Sequence, residues 1–271
     1  MTMGKLIAVS GPPASGKTTV AVNLAQEVYA ATKQRVIYFS PDKLIPALGV
    51  LFPTRDRDKM YSIGGALENV NLAITDILAV LATTKEMDNF GYLGYKSGEG
   101  PFTYPDLSEN KVISLLTLLK ENCDYLFVDC DRDRNDLVSL LARGIADEVI
   151  YLINPDVKSF LYYATEIKPE HSIQVLNLLS NDVFLPIGDT KSHFGQIPHT
   201  LMYSKAVKEQ MMDGTLTKYV KDNVYRTAMK KIAQELIQLQ DASQAQEPEV
   251  EQAQPEDESP LTENQVDELW S

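Results

Sequence analysis

Along the first 240 residues, short unbroken apolar runs alternate with stretches in which apolar residues recur every three or four positions. Unbroken runs at 5–10, 35–39, 125–129, 148–153 and 173–177 each predict a strand buried on both faces. Residues 91–95 and 183–187 are two further candidate strands. Helical spacing covers 19–25, 66–81, 109–121 behind a candidate N-cap at Ser108, 135–143, a stretch from about 159, and 224–239. In the second of these the periodic positions are Leu67, Val70, Ala73, Ile74, Ile77, Leu78 and Leu81. Residues 43–62, with Pro46, Pro53 and mixed charges, read as irregular. Continuously apolar strands alternating with helices imply an α/β domain, a mostly parallel sheet with helices on both faces. Ligands of such sheets sit beyond the carboxyl ends of the strands. Asp42, Asp129, Asn154 and Asn177 occupy those ends.

The first strand runs straight into Gly11-Pro12-Pro13-Ala14-Ser15-Gly16-Lys17-Thr18, a complete G-x-x-x-x-G-K-T phosphate loop, and Thr19 continues into a helix. Glycines at 11 and 16 let consecutive N–H groups turn inward around an anion, and the helix N-terminus adds its dipole. Lys17 is placed to meet β- and γ-phosphates, and the Thr18 hydroxyl to ligate Mg²⁺. The motif therefore implies that residues 11–19 bind a nucleotide.

Composition narrows the class. Of 271 residues 44% are hydrophobic, as in globular proteins, and no run reaches the roughly 18 to 20 apolar residues that span a bilayer. The first strand begins too early to leave room for a signal peptide, and Cys123 and Cys130 read as reduced thiols, so a cytoplasmic location is expected. The net charge is -13. Ten acidic residues and no Lys or Arg fall after position 240, leaving 28 acidic and 25 basic residues before it. The body, 1–240, is thus near neutral, and 241–271, rich in Gln, Glu, Pro and Ser, is an expected disordered acidic tail. At its end Leu261, Val266, Leu269 and Trp270, with Thr262 and Gln265 as a capping box, read as a short helix for docking on a partner or on the body. Its acidic polar side argues against membrane insertion. Lys218, Lys221, Arg226, Lys230 and Lys231 form a basic stretch that reads as a solvated face in preference to a DNA contact. His171, His193 and His199 lack metal-ligand spacing, and no Ser-His-Asp pattern is present.

The order of these landmarks over 1–240 resembles that of the ParA/MinD family of P-loop ATPases. Residues 39–42 match the family's first switch, with Asp42 as its second acid, and 124–129 its Walker B strand. Residues 146–150 and 155–159 match its next strand and following turn, Asn177 its adenine contact, and 195–199 an element on the base side. The resemblance implies ATP and Mg²⁺ as ligands, Thr18 and Asp129 at the metal, and Lys17, Asp42 and Asp129 as the catalytic set. It further implies a homodimer and an ATP-dependent switch that positions or assembles a secretion or pilus apparatus, a plasmid or a transfer element. Two departures stand out. Pro12 replaces the lysine that in this family reaches a partner's phosphates, and 130–136 lack the glycine that follows the Walker B acid. Arg132 and Arg134 in that run pair more readily with Asp131, Asp133 and Asp136 than with a phosphate. Such erosion is similar to that of TadZ/CpaE-type members and points to slow hydrolysis. The competing readings are a non-hydrolysing nucleotide-binding scaffold and a P-loop small-molecule kinase.

Overall fold

In the computed structural model, the described residues are 3–54, 60–131, 133, 135–165, 172–180 and 197–246. Their strands are β1 (Lys5–Ser10), β2 (Val36–Ser40), β3 (Ala82–Thr84), β4 (Met87–Gly94), β5 (Tyr125–Asp129), β6 (Glu148–Ile153), β7 (Ser172–Leu179) and β8 (His199–Met202). These form one sheet in the order β3-β4-β2-β5-β1-β6-β7-β8. Every neighbouring pair is parallel except β3 with β4. The phosphate loop therefore leaves the middle of the sheet. Val9 lies opposite Asp129 and Ser10 opposite Tyr151, which puts the Asp129 strand end beside the loop.

Helices are α1 (Lys17–Thr32), α2 (Ala47–Leu51), α3 (Ile63–Leu67), α4 (Ile74–Ala79), α5 (Glu109–Asn122), α6 (Leu137–Ile145), α7 (Val157–Thr165), α8 (Lys205–Asp213) and α9 (Asn223–Gln246). Strand alternation sends Ile7 and Val9 to one face, where they pack with Leu24 of α1 and Ile232 and Leu236 of α9. Leu6 and Ala8 go to the other face, against Leu115 and Leu119 of α5 and Ala142 of α6. Both faces are covered, which is why the strands are apolar throughout.

Helix α1 is buried at every position from Val20 to Tyr29, polar Asn23, Gln26 and Glu27 included. A helix apolar on one stripe only would not survive there; α1 is wedged between the sheet and α9. Its buried Glu27 is met by Arg226 of α9, Nε to Oε1 at 2.6 Å. Arg226→Ala strips a buried carboxylate of its partner, so it should destabilise the fold by about 2–4 kcal/mol in urea unfolding. An unchanged midpoint would mean that this pair does not fasten α9 to α1.

Several sequence expectations change. The helix expected over 66–81 is two short helices, α3 and α4, with Val70 left 91% exposed between them. Asp76 accepts from the Ala73 amide and starts α4 afresh, while Lys111 Nζ donates to the carbonyls of Asn69 and Val70 in the gap. The stretch read as irregular contains α2, and the strand expected at 91–95 starts earlier, at Met87. Ser108 does cap α5, its side chain accepting from the Lys111 amide at 3.3 Å. Helix α9 continues to Gln246, past the expected division at 240. The candidate strand at 183–187 and the segment 261–271 lie outside the described residues. Among the described residues no helix is long and apolar enough to cross a membrane.

Candidate nucleotide site

The loop between β1 and α1 turns on two glycines whose backbone would be strained by any side chain. Gly11 has φ +151° and Gly16 φ +85°. A Cβ on Gly11 would stand 2.9 Å from the Leu152 carbonyl oxygen and 3.0 Å from Ser15 Oγ, and one on Gly16 2.9 Å from Asn177 Nδ2. The loop thus curls against β6 and β7 with no room for a side chain at either turn. The Ser15 amide donates to the Pro12 carbonyl at 3.1 Å and closes the bend. Lys17 is buried and folds back over the curl, its Nζ donating to Gly11 O at 3.1 Å and Pro12 O at 3.2 Å. Pro13 and Ala14 form the exposed rim, and Pro12 itself is buried.

Asp129 is the electrostatic centre. Its Oδ2 accepts from Thr18 Oγ1 at 2.6 Å and from the Tyr38 hydroxyl at 2.8 Å. Burial raises its carboxyl from 3.8 to about 6, the Thr18 and Tyr38 hydrogen bonds and the Lys17 charge oppose the rise, and nearby Asp42 adds to it. Asp129 Oδ1 and Ser15 Oγ are buried and have no hydrogen-bond partner among the described residues. A glycine-lined curl, an ammonium at its mouth and a buried oxygen in want of a positive partner fit a phosphate chain and a divalent cation.

Asp42, Asn177 and Thr19 are also at the site, whereas Asn154, just past β6, is buried and does not line the cavity. Asp42 lines the cavity while its Oδ1 accepts from the Leu44 and Ile45 amides, both at 2.8 Å, so it also shapes the turn after β2. Asn177 lines the cavity too, but its amide group donates to the Ser15 carbonyl at 2.7 Å and holds the phosphate loop against β7. Thr19 lies on the cavity wall next to Thr18. In the run after Asp129, Ser139 Oγ accepts from the Asp131 amide at 2.8 Å and Asp136 caps α6. Arg132 and Arg134 lie outside the described residues.

The cavity has a volume of about 520 Å³. Besides the phosphate loop, its walls are Ile45, Ala47 and Val50 from the segment after β2, and Met202, Tyr203, Val207 and Met211 from the end of β8 and from α8, mostly apolar side chains. That second wall, the end of β8 and the face of α8, was not anticipated from the sequence. The segment expected on the base side contributes Ile197, Pro198 and His199, none of which lines the cavity; Gly195 and Gln196 lie outside the described residues. His199 instead contacts Glu235 of α9 at 2.7 Å. In the basic stretch, Arg226 is engaged by Glu27 and the Tyr219 ring, while Lys218, Lys221, Lys230 and Lys231 are exposed.

No family model matches this chain, and no curated protein matches it. Solved structures do. The cell division ATPase MinD of Pyrococcus furiosus is 20% identical, with 88% of this chain and 100% of that one covered at a TM-score of 0.64. The septum site-determining protein MinD of Pyrococcus horikoshii, complexed with Mg-ADP, is 17% identical over 88% of this chain and 98% of its own, TM-score 0.65. A ParA family ATPase from Chlorobium tepidum is 14% identical over 85% and 99%, TM-score 0.64. At identities this low the matches speak for the fold alone: the chain has the P-loop fold of the MinD and ParA ATPases.

Proposed function

We propose that this chain is a Mg²⁺-dependent ATP-binding protein of the ParA/MinD kind, a slow ATPase whose nucleotide state switches its association with itself or a partner. The observation that carries the reading is the Thr18–Asp129 pair, closed at 2.6 Å beneath a glycine curl and beside an unpartnered carboxylate oxygen. The residues to hold the ligands are Gly11 to Thr19 for the phosphates, Thr18 and Asp129 for magnesium, and Asp42 for the water that attacks. Magnesium bound there supplies positive charge against the charge that develops on the phosphates. Lys17 adds a second cation by swinging from the Gly11 and Pro12 carbonyls to a phosphate oxygen.

Slow turnover follows from Pro12, which offers no charge to a partner's phosphates, and from a run after Asp129 without a glycine. The proposed task is to position or assemble a cellular apparatus in the cytoplasm. It is supported by the company of the fold: MinD was solved in complex with MinC from Aquifex aeolicus, and another similar structure is a putative plasmid partition protein of Borrelia burgdorferi bound to AMPPNP.

Titration calorimetry with ATP and MgCl₂, combined with phosphate release and light scattering, tests the proposal. The expected result is saturable binding, turnover far below that of a dedicated ATPase, and a mass increase with ATP that ADP does not produce. Binding with no turnover at all would leave a nucleotide-dependent scaffold. Turnover seen only with a small-molecule acceptor would make the protein a kinase.

A further inference from the structure

Tyr38 stands in an apolar run and, by sequence, is an ordinary core residue. Its ring does lie in the core, 6.0 Å from that of Tyr92 and fully buried. Its hydroxyl does something else. On β2 it lies opposite Phe127 of β5, and Asp129, two residues on, points to the same face. The phenol reaches diagonally across the pair and donates to Asp129 Oδ2 at 2.8 Å. Thr18 Oγ1 donates to that same oxygen at 2.6 Å. Two hydroxyls from two different elements thus converge on Oδ2, and Oδ1 is left buried and without a partner among the described residues.

We infer that Tyr38 is a positioning residue for the cation site: its hydroxyl fixes the plane of the Asp129 carboxylate so that Oδ1 is the oxygen presented to magnesium. The inference rests on the nucleotide-binding reading above. A carboxylate held at one oxygen by Thr18 alone keeps its freedom to rotate about the Cβ–Cγ bond. The second hydroxyl, arriving from β2, removes that freedom. When Thr18 turns from Asp129 to the cation, Tyr38 is the contact that keeps the carboxylate in place. Outer hydrogen bonds of this kind orient metal-ligating groups, and their loss weakens metal affinity by about 10–100-fold.

The test is calorimetric ATP affinity with Mg²⁺ and with EDTA, for the wild-type chain, Tyr38→Phe and Tyr92→Phe. Tyr92 is the control: it is an equally buried phenol in the same aromatic cluster, but its hydroxyl accepts from Gln26 Nε2 and is not among the partners of Asp129. For Tyr38→Phe the gain in affinity on adding Mg²⁺ should fall by about tenfold, while affinity in EDTA stays within about twofold of wild type. For Tyr92→Phe both should match wild type. Equal losses in both variants would mean that packing, and not the Asp129 contact, is responsible, and would overturn the inference. So would a Tyr38→Phe variant with the wild-type magnesium dependence. If thermal unfolding shows that Tyr38→Phe does not fold, Tyr38→Leu carries the same pair of measurements. A wild-type chain that takes up no nucleotide would instead overturn the nucleotide reading itself, and this inference with it.

Discussion

Lys17→Ala should bind Mg²⁺-ATP at least about 100-fold more weakly than the wild-type chain while unfolding at nearly the same temperature. Two charge-assisted hydrogen bonds to phosphate oxygens are worth about 1.5 kcal/mol or more each, and about 3 kcal/mol is about 100-fold in affinity. The near-constant stability is the less obvious half. Lys17 Nζ donates to the Gly11 and Pro12 carbonyls, so alanine removes those two contacts. It also removes an ammonium on a side chain that is only 8% exposed, and the relief of its desolvation offsets the loss. Calorimetric titration and differential scanning fluorimetry on the same preparation measure both quantities. Retained affinity would show that the curl grips phosphate through its amides alone.

Asp129→Asn should make the ligand-free protein more stable and the magnesium effect vanish. The Asp129 carboxyl is raised from 3.8 to about 6 in the folded chain, with burial as the leading cause. The folded state therefore holds this proton more tightly than the unfolded state does. Its contribution to stability is complete below pH 3.8 and is lost as the pH rises through about 6. At pH 7 the ionised, buried group costs about 3 kcal/mol, which an uncharged asparagine avoids. Thr18 and Tyr38 can donate to the asparagine oxygen, but its NH₂ would take the place of the unpartnered Oδ1, at a cost of about 1 kcal/mol. The net gain should be about 1–2 kcal/mol in urea unfolding at pH 7, shrinking towards zero near pH 4. The same substitution removes the anion a cation needs, so Mg²⁺ should no longer tighten ATP binding. In the wild-type chain that tightening should fade as the pH drops below about 6. A site that is costly to maintain without ligand and indispensable with it is the pattern of a functional group. Destabilisation by Asp129→Asn at pH 7 would argue against it.

How far the sequence reveals this structure depends on how each element is stabilised. Strands β1, β2, β5 and β6 are buried on both faces and announce themselves as continuous apolar runs. Strands β3 and β8 end the sheet, are short, and carry Thr83, Thr84, His199 and Thr200, so no periodicity marks them. The break between α3 and α4 is decided by Lys111 and Asp76, contacts that spacing alone does not encode. At the site, the phosphate loop is legible because its backbone conformation demands glycine at two places. Asp129 is legible because an acid ends an apolar strand. The second wall of the cavity is not, since α8 shows the core a single well-buried residue, Val207, among mostly polar neighbours. Nor is Tyr38, whose hydroxyl matters only through a cross-strand pairing that exists after folding.

The burial of α1 ties the support of the phosphate loop to a distant part of the sequence. Helix α1 is enclosed only when α9 lies over it, with Arg226 on Glu27, 199 positions away, and Lys5 Nζ donating to the Leu236 carbonyl. Residues 11–18 therefore gain their rigid backing from a contact of high sequence separation, the kind that closes late in folding. Until it closes, the side of α1 that faces α9 is left open to solvent.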